Sequence, residues 1–266
     1  MEIGEKGICR LSVVPVRAKG ADTSEMVTQL LFGDHYAITG LSEDRKWLRV
    51  QLYYDKYEGW IDAKQYSGIS EAYYEQISHA DYKICLDLTS TILYQKHQTP
   101  IVIGSILPIS TNELFKMEEQ LAFNGEAKSL GSKRDGEFLS QIATKYLNAP
   151  YLWGGRSPFG IDCSGFTQIV FKICGYNLPR DAAQQVEKGV KISFKDLQLG
   201  DVAFFKNEAN KIVHVGIVLE NNQIIHASGK VRIDELTQKG IINSSSGVLT
   251  HKLDCIKRIL KDKFDY

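Results

Sequence analysis

Residues 160–166 read Gly-Ile-Asp-Cys-Ser-Gly-Phe, and they stand directly before an apolar stripe of helical spacing that ends at Gly175. The stripe predicts a helix that begins at or beside Cys163. A thiol at a helix N-terminus faces unpaired backbone N–H groups and the positive end of the helix dipole, which favours the thiolate. Asp162 and Ser164 suit a tight turn that exposes a side chain better than they suit a core, and we predict that they support the thiol. We therefore interpret Cys163 as a nucleophile with a lowered pKa; the alternative is an inert buried cysteine.

Two predicted strands that follow one another in the chain each carry one histidine, His214 and His226. A three-residue loop between these strands places Leu219 opposite Gln223. In that register His226 pairs with Gly216 and lies on the same face of the sheet as His214. A loop shorter by one residue puts the two histidines on opposite faces. The first register predicts a histidine pair, whereas the simpler interpretation of His214 is a hydrogen-bonded core residue.

These residues together favour a thiol-dependent hydrolase. His214 would take the proton of the Cys163 thiol and later give it to a leaving amine, while His226 would hold the orientation of the His214 ring. The backbone N–H of Cys163 and the hydroxyl of Tyr151 would stabilise the oxyanion. Zinc binding by the same cysteine and two histidines is the alternative. Because no fourth ligand stands at a suitable spacing, we predict neither a metal nor another cofactor.

A change of composition near residues 131–136, which are rich in glycine and charge, separates a β-rich part of the chain from a part with helices. Short apolar runs predict one small β-barrel in residues 1–68 and a weaker copy of it in residues 79–130, joined by a polar stretch. After residue 133, two helical patterns precede consecutive antiparallel strands, as in α+β domains. The predicted fold is therefore multidomain, with two small all-β barrels followed by an α+β domain over residues 133–266.

The composition excludes several classes of protein. The 266 residues are 43% hydrophobic and 24% charged, which is typical of globular domains and excludes a disordered chain. Because 32 basic residues balance 32 acidic ones, we expect no nucleic-acid partner and no anionic-membrane partner. No apolar run approaches the roughly 18–20 residues that span a bilayer, and the first residues lack the apolar core of a secretory signal. We expect a cytoplasmic protein, or a periplasmic or secreted one if a signal has been removed.

The cysteines are five in number, widely spaced and without a CxxC pair. This pattern argues against a disulfide framework and against a cysteine-rich zinc site. Apart from Cys163, we interpret the cysteines as structural, namely Cys9, Cys85, Cys174 and Cys255.

Five motifs after residue 150 resemble, in their order, those of the NlpC/P60 cysteine peptidases. They are Tyr151-x-Trp153-Gly154-Gly155, Asp162-Cys163-Ser164-Gly165-Phe166, Leu199-Gly200-Asp201, His214-Val215-Gly216-Ile217 and His226-Ala227-Ser228. Three upstream motifs resemble the first bacterial SH3 domain of the dipeptidyl-peptidase VI subgroup, whose members hydrolyse γ-D-glutamyl-diamino acid bonds in murein peptides. They are Val14-Pro15-Val16-Arg17, Thr28-Gln29-Leu30-Leu31-Phe32-Gly33 and Tyr57-Glu58-Gly59-Trp60.

The resemblance implies two SH3-like barrels followed by a papain-like NlpC/P60 domain, with Cys163, His214 and His226 as its catalytic triad. It also implies a γ-D-glutamyl-L-diamino acid endopeptidase that recycles murein-derived peptides, which we expect to act as a monomer. The choice between diaminopimelate and lysine stays open. Two alternatives also stay open: a peptidoglycan-binding SH3 protein without activity, and an amidase or acyltransferase on the same fold.

In this subgroup the substrate has a free N-terminal L-Ala, whose amine is held by acidic and tyrosyl groups. The matching residues of this chain are Asp181, Glu25 and Tyr57, and Trp153 is assigned to the same substrate-binding set. A desolvated ammonium needs a carboxylate partner, which agrees with two acidic residues in this set. The simpler interpretations are that Asp181 caps a helix over residues 181–188 and that the others are solvated loop residues.

Overall fold

The computed structural model describes residues 1–110, 115–116 and 120–260. Residues 111–114 and 117–119 of the predicted second barrel, and residues 261–266 of the predicted α+β domain, lie outside the described residues. The chain divides into two compact units. The first comprises Met1–Ser132 and Trp153–Pro158, and the second comprises Lys133–Leu152 and Phe159–Tyr266.

Short antiparallel strands make up most of the first unit. Its strands and helix are β1 Lys6–Ile8, β2 Val13–Arg17, β3 Met26–Leu31, β4 His35–Leu41, β5 Trp47–Leu52, β6 Glu58–Asp62, β7 Gly68–Ile69, α1 Glu71–His79, β8 Tyr82–Cys85, β9 Thr89–Tyr94, β10 His97–Val102, β11 Ile106–Ser110, β12 Phe115–Lys116, β13 Leu121–Ala122, β14 Ala127–Ser129 and β15 Arg156–Ser157. The first seven strands form one sheet in the order β3-β2-β6-β5-β4-β1-β7. The following strands form two smaller sheets, β11-β8-β14 and β10-β9-β13-β12.

The first sheet encloses an apolar core because alternate side chains of its strands point inwards. Val14 and Val16 of β2 pack in one cluster with Val50 of β5 and Ile61 of β6. Gly59 allows β6 to approach β2, since a Cβ at this position would lie 2.5 Å from the side chain of Val16. A single contiguous core therefore lies inside this sheet.

The polar stretch predicted to join the two barrels is a helix, α1, which is a correction to the sequence analysis. Ser70 caps it by accepting a hydrogen bond from the backbone N–H of Tyr73 at 3.1 Å. Tyr74 and Ile77 are buried while most other residues of α1 are exposed. The helix was missed because only these two side chains reach the core, so its apolar face is narrow.

The two sets of strands in the first unit share core residues. Phe32, which directly follows β3, is buried in a cluster with Cys85, Ile92 and Ile101 of the second set. The backbone N–H of Ile106 donates to the carbonyl of Phe32 at 2.8 Å. These contacts join both sets in one compact unit.

The second unit combines helices with one large sheet. Its elements are α2 Gly136–Lys145, β16 Gly160–Ile161, α3 Cys163–Ile173, α4 Ala182–Gln185, β17 Val190–Ile192, β18 Val202–Lys206, β19 Ile212–Val218, β20 Gln223–Ser228, β21 Lys230–Thr237, β22 Gly240–Ile242 and β23 Leu249–Arg258. The strand order is β17-β23-β18-β19-β20-β21-β22, and β22 also pairs with β23. Because β23 pairs with both β18 and β22, the strands β18 to β23 close on themselves.

Helix α3 is the central helix of the second unit, and all of its residues are buried. It packs against α2, β19 and β20. It begins at Cys163 and is followed by Gly175 in a left-handed conformation with φ of 81°, as the apolar stripe predicts. The packing of α3 on β19 brings the start of the helix beside the strand that carries His214.

The second unit departs from the sequence analysis in two places. The helix predicted over residues 181–188 is only the four-residue α4, which ends before the left-handed Gly189. Strands β21, β22 and β23 were not predicted from the sequence. No helix in the described part of the chain is both long and apolar enough to cross a membrane.

Candidate active site

Cys163 occupies the first turn of α3, where Asp162 forms the N-cap. The Asp162 carboxylate accepts a hydrogen bond from the backbone N–H of Gly165 at 2.7 Å. The backbone N–H groups of Ser164 and Val215 are directed at the Cys163 sulfur. Since Val215 follows His214 in β19, the thiol lies against the strand segment that carries the predicted base.

A buried ion pair holds the turn before Cys163. Arg180, which is 2% exposed, donates to both oxygens of Asp162 at 3.0 and 2.5 Å and to the hydroxyl of Ser164 at 2.7 Å. Gln185 donates to the backbone carbonyl of Ser164 at 2.9 Å. Asp162 and Ser164, predicted as supporting residues, therefore use their side chains to hold the backbone around the thiol. Neither Arg180 nor Gln185 was predicted from the sequence to have a role at this site.

The expectation of a lowered pKa for Cys163 is wrong for the free protein. Burial, followed by the charge of Asp162, raises the pKa of the Cys163 thiol to about 11. The N–H groups of Val215 and Ser164 and the charge of Arg180 act in the opposite direction but are smaller. The thiol is 7% exposed, so loss of hydration outweighs the favourable end of the helix. Cys163 is a neutral thiol at pH 7 before substrate binds.

The hairpin of β19 and β20 has the register that brings the two histidines together. Ile217 pairs with Ile225, and the N–H of Leu219 donates to the carbonyl of Gln223 at 2.8 Å. The three-residue loop is therefore confirmed, and the two-residue alternative is excluded.

The two imidazoles are in direct contact in this register. Nε2 of His214 lies 2.8 Å from Nδ1 of His226, and the two rings are nearly perpendicular at 84°. Both side chains are buried. A Cβ at position 216 would lie 2.8 Å from the Cβ of His226 and 2.8 Å from Cδ1 of Ile224, so this contact depends on glycine.

A buried carboxylate that was not predicted from the sequence extends the histidine pair. Asp234, 2% exposed, lies 3.0 Å from Nε2 of His226 through Oδ2. In the next hairpin His226 pairs with Arg232, so Asp234 is a diagonal neighbour of His226 on the same face. Gly229 interrupts the strand pattern between β20 and β21. It is the sequence signal from which the pairing of these two strands could have been predicted.

A third imidazole, also not predicted, stacks on His214. The ring of His251 in β23 lies 4.1 Å from that of His214, centroid to centroid, at an interplanar angle of 25°. The centroid of His251 is also 5.7 Å from that of His226. This contact could not be predicted from a local pattern, because it depends on the pairing of β23 with both β18 and β22.

Burial keeps these imidazoles neutral. Burial, followed by the charges of His251 and His226, holds the pKa of His214 well below its usual range. Burial lowers the pKa of His226 to about 4, although Asp234 acts in the opposite direction. Burial also lowers the pKa of His251. At pH 7 His214 therefore has a lone pair with which it can act as a base.

Tyr151 contributes a protonated phenol near the thiol. Burial, followed by the neighbouring Cys163 and Asp162, raises the pKa of Tyr151 to about 12. Its backbone N–H donates to the carbonyl of Gly229 at 3.0 Å, which ties it to the β20–β21 turn. A protonated hydroxyl in this position can donate a hydrogen bond, as the predicted oxyanion role requires.

The remaining predicted residues fall in both units. In the second unit, Asp181 holds the N-cap position of α4, but its side chain makes no capping hydrogen bond. In the first unit, exposed Glu25 accepts a hydrogen bond from Nε1 of Trp153 at 2.6 Å, and Trp153 is 61% exposed. Tyr57 is half-buried, and its backbone N–H donates to the carboxylate of Asp55 at 3.0 Å.

The segment that carries Trp153 is anchored to the first unit by a buried arginine. Arg156, 1% exposed, donates to the carbonyl of Gln29 at 2.9 Å and lies 3.4 Å from the carboxylate of Asp34. Gly154 adopts a left-handed φ of 77°, and a Cβ there would lie 2.3 Å from the carbonyl oxygen of Met26. This anchor was not predicted from the sequence.

The geometry does not favour the zinc alternative. The nearest nitrogens of His214 and His226 point at each other across 2.8 Å, as in a hydrogen bond, and not at a common point. Within residues 1–110, 115–116 and 120–260, no group of three histidine, cysteine, aspartate or glutamate side chains is arranged to hold a metal ion.

Comparison with known proteins identifies two domains. Residues 148–250 match the NlpC/P60 family, and residues 16–65 match the bacterial dipeptidyl-peptidase SH3 domain. A Bacillus subtilis protein named Gamma-D-glutamyl-L-lysine dipeptidyl-peptidase is 29% identical over 215 residues, which are 75% of this chain and 71% of that protein. A Bacillus cereus protein of the same name is 27% identical over 257 residues, 85% of this chain and 75% of that protein.

Solved structures agree on the fold. The crystal structure of an NlpC/P60 family protein from Bacillus cereus superposes with a TM-score of 0.80 at 19% identity, covering 96% of this chain and 100% of that one. An NlpC/P60 endopeptidase from Photobacterium damselae gives a TM-score of 0.69 at 16% identity, covering 95% and 70%. The chain carries an NlpC/P60 domain at residues 148–250 and, ahead of it, a bacterial dipeptidyl-peptidase SH3 domain at residues 16–65.

Proposed function

We propose that this protein is a cysteine endopeptidase that hydrolyses the γ-D-glutamyl-L-diamino acid bond of murein peptides with a free N-terminal L-Ala. The observation that carries the proposal is the buried contact between His214 and His226, in which His214 belongs to the strand against which the Cys163 thiol lies. The names of the Bacillus relatives supply the substrate class. We propose Cys163, His214 and His226 as the catalytic residues.

The proposed reaction begins with a neutral thiol and a neutral imidazole. As the sulfur of Cys163 attacks the γ-carbonyl carbon of D-Glu, His214 takes the thiol proton. The resulting oxyanion accepts hydrogen bonds from the backbone N–H of Cys163 and the hydroxyl of Tyr151. The C–N bond then breaks as His214 gives the proton to the amine of the diamino acid.

The second half of the reaction regenerates the enzyme. The first half leaves L-Ala-γ-D-Glu bound to Cys163 as a thioester. A water molecule gives a proton to His214 and attacks the thioester carbon, and the C–S bond breaks. The proton on His214 returns to the sulfur, so that the free carboxyl group of L-Ala-γ-D-Glu and the neutral thiol are formed.

We propose that the L-Ala ammonium is bound by carboxylate and tyrosyl groups, with Asp181, Glu25 and Tyr57 in this role and Trp153 beside Glu25. Asp181 supports this, because it places a carboxylate at the N-cap position of α4, in the unit that carries Cys163. Glu25 supports it as well, since the indole N–H of Trp153 holds an exposed carboxylate in one orientation. A protonated amine requires such acceptors if it is to leave water.

For the whole protein we propose three modules: SH3-like domains at residues 1–68 and 79–130, and a catalytic domain at residues 133–266. The second SH3-like module is supported by the two small antiparallel sheets that follow α1. We further propose a monomer that acts in the cytoplasm on released murein peptides, as a recycling role requires. The barrels would then serve substrate selection and not wall attachment.

The test is incubation with L-Ala-γ-D-Glu-meso-diaminopimelate, its lysine counterpart and the N-acetylated form of each, followed by mass spectrometry. We expect L-Ala-γ-D-Glu and the free diamino acid from the unblocked peptides, and no product from the acetylated ones. Cys163→Ala should abolish the reaction. Cys174→Ala, which removes a buried thiol just beyond the other end of α3, is the matched control and should retain it.

Other outcomes would select the alternatives. Cleavage by Cys163→Ala would reject the nucleophile, and equal cleavage of acetylated and free peptides would reject recognition of the amine. Binding to insoluble murein without any product would support a binding protein instead. Transfer of the L-Ala-γ-D-Glu group to an added amine, in place of water, would support an acyltransferase.

A further inference from the structure

Asp234 receives only N–H donors. Its Oδ2 lies 3.0 Å from Nε2 of His226. Nε of Arg232 is 2.8 Å from the same oxygen as part of an ion pair but makes no hydrogen bond to it. Its Oδ1 accepts from Nη2 of Arg232 at 2.9 Å and from the backbone N–H of Ser244 at 2.8 Å. Burial alone would raise the pKa of Asp234, but the donors from Ser244, His226 and Arg232 together hold it below its usual range. The group is therefore a carboxylate at neutral pH, and it can only accept hydrogen bonds.

This acceptor determines which ring nitrogens carry protons. Because Oδ2 of Asp234 can only accept, the proton of neutral His226 must lie on Nε2. Nδ1 of His226 then carries the lone pair and accepts across the 2.8 Å contact from Nε2 of His214. The proton of neutral His214 is thereby held on Nε2, and its Nδ1 is left with a lone pair.

We propose that Asp234 is a positioning residue that fixes the tautomers of both histidines, so that His214 presents the lone pair of Nδ1 as the base for the Cys163 thiol. This inference rests on the proposed thiol mechanism and extends it by one residue. Asp234 does not touch the reacting atoms and acts through His226. In its absence each neutral imidazole is free to adopt either tautomer, and only one of the two leaves Nδ1 of His214 able to take a proton.

The charged and titratable groups around the histidine pair agree with this role. Arg232 in β21 binds the far side of Asp234, His251 in β23 stacks on His214, and Cys163 lies at the start of α3 against β19. Asp234 therefore contributes negative charge beside two imidazoles, and it stabilises the positive charge that develops when His214 takes the proton.

Replacement of Asp234 by asparagine should reverse the tautomers of both histidines. The N–H of Ser244 and one N–H of Arg232 meet at Oδ1, so they will hold the single oxygen of the new amide side chain at that position. The amide NH₂ then faces Nε2 of His226, where two donors cannot meet. His226 must move its proton to Nδ1, His214 must accept it on Nε2, and the proton of His214 moves to Nδ1. That tautomer cannot deprotonate the thiol.

The first measurement needs no variant of Asp234 and no substrate. The full chain is labelled with ¹⁵N-histidine, and ring ¹⁵N–¹H correlations are recorded at pH 7.5, with signals assigned by their loss in His214→Gln and His226→Gln. We expect both rings to be neutral and protonated on Nε2. A proton on Nδ1 of His226 would overturn the proposal.

The second measurement compares Asp234→Asn with Asp201→Asn. Asp201 is also 2% exposed, pairs with an arginine, Arg258, at 2.8 and 2.9 Å, and accepts a backbone N–H from Gln198 at 2.8 Å. It is therefore a matched buried carboxylate that does not hold an imidazole. Thermal unfolding of both variants measures the structural cost of losing such a group.

We expect Asp234→Asn to move the proton of His226 to Nδ1, to slow alkylation of Cys163 by iodoacetamide at pH 7.5 about tenfold, and to lower kcat on the murein tripeptide about 100-fold with KM almost unchanged. Asp201→Asn should keep the tautomers and both rates. Equal losses in the two variants would mean that Asp234 is only structural. If the tripeptide is not a substrate, the alkylation rates and ring signals still test this inference, so the two failures are distinct.

Discussion

Burial decides the protonation state of Cys163, the proposed nucleophile. The Cys163 thiol stands at the favourable end of a helix, but only 7% of the residue is exposed and the charge of Asp162 lies beside it. The cost of desolvating a thiolate exceeds the gain from two backbone N–H groups and Arg180. In the proposed mechanism a neutral thiol must therefore lose its proton to His214 during the attack, so the reaction would depend on a neutral imidazole more than on an activated sulfur.

The reactivity of Cys163 should consequently rise with pH. A thiol whose pKa is raised to about 11 stays protonated through the neutral range, so its alkylation by iodoacetamide should keep accelerating above pH 9. The rate is measured by mass spectrometry of the peptide that contains Cys163, with N-acetylcysteine as the reference. An alkylation rate that already reaches a plateau at pH 6 would contradict the prediction and would indicate that Cys163 is a thiolate in the free protein.

Replacement of Arg180 should strongly destabilise the protein, because Arg180 is the buried partner of the Asp162 carboxylate. Arg180→Met leaves the buried carboxylate of Asp162 without its partner, which typically costs about 3–5 kcal/mol of unfolding free energy. It should also raise the pKa of Cys163 further, since Arg180 lowers it. Urea unfolding measures the first effect, and the pH dependence of alkylation measures the second.

The control for Arg180 is an ion pair near the surface of the same unit. Lys206 lies 3.0 Å from Asp254, and the two side chains are 24% and 32% exposed. Lys206→Met should cost less than about 1 kcal/mol, because solvent screens such a pair. Similar losses of unfolding free energy in Arg180→Met and Lys206→Met would show that the Asp162 carboxylate does not depend on Arg180 as its buried partner.

At the scale of elements, the β19–β20 hairpin places the two histidines on the same face of the sheet. Its three-residue loop sets the register, and Gly216 provides the space between the strands. A shift by one residue would turn one imidazole to the other side of the sheet. The hairpin is thus the element on which the proposed catalytic geometry depends most directly.

Gly216→Ala should damage activity more than stability. The added methyl would lie 2.8 Å from the Cβ of His226, so the imidazole must move, and overpacking of this kind costs about 1–3 kcal/mol. We expect kcat to fall at least tenfold with KM little changed. In the control Gly40→Ala, in β4, the new methyl meets only the side chain of Arg49, at 3.3 Å or more, and kcat should be unchanged. An active Gly216→Ala enzyme would show that the histidine contact is not needed.

At the scale of the whole molecule, the buried neutral histidines should make the second unit sensitive to acid. The pKa of His226 is about 4 in the folded protein and about 6.5 when the chain is unfolded, so the unfolded state binds more protons between these values. The contribution of neutral His226 to the free energy of unfolding is therefore fully present above pH 6.5 and is lost as the pH drops towards 4. The loss from His226 alone is on the order of 3 kcal/mol.

Hydrogen exchange of α3 peptides at pH 7.5, 6 and 5 measures this loss. The three tryptophans, Trp47, Trp60 and Trp153, all lie in the first unit, so their fluorescence during urea unfolding serves as an internal control. We expect exchange of α3 to accelerate at low pH while the fluorescence transition moves less. In His226→Gln the pH dependence of α3 should be weaker; an unchanged dependence would assign the effect to other groups.

Local patterns in the chain were sufficient to predict the start of α3 at Cys163, its end before Gly175, the strands β18 to β20 and, once a loop length was chosen, the pairing of the histidines. These follow from spacing, because apolar residues at helical or alternate positions identify the buried face of an element. The helix α1 was missed, since only two of its side chains are buried.

Three features of the site depended on which elements pack together. The pKa of Cys163 followed from burial beneath its neighbours, and Asp234 and His251 reached the histidine pair from strands that alternate charged residues and carry no motif. Spacing along a chain determines the face on which a side chain lies. Desolvation and contacts between distant strands depend on what covers that face, and in this protein they determine the protonation states on which the proposed chemistry rests.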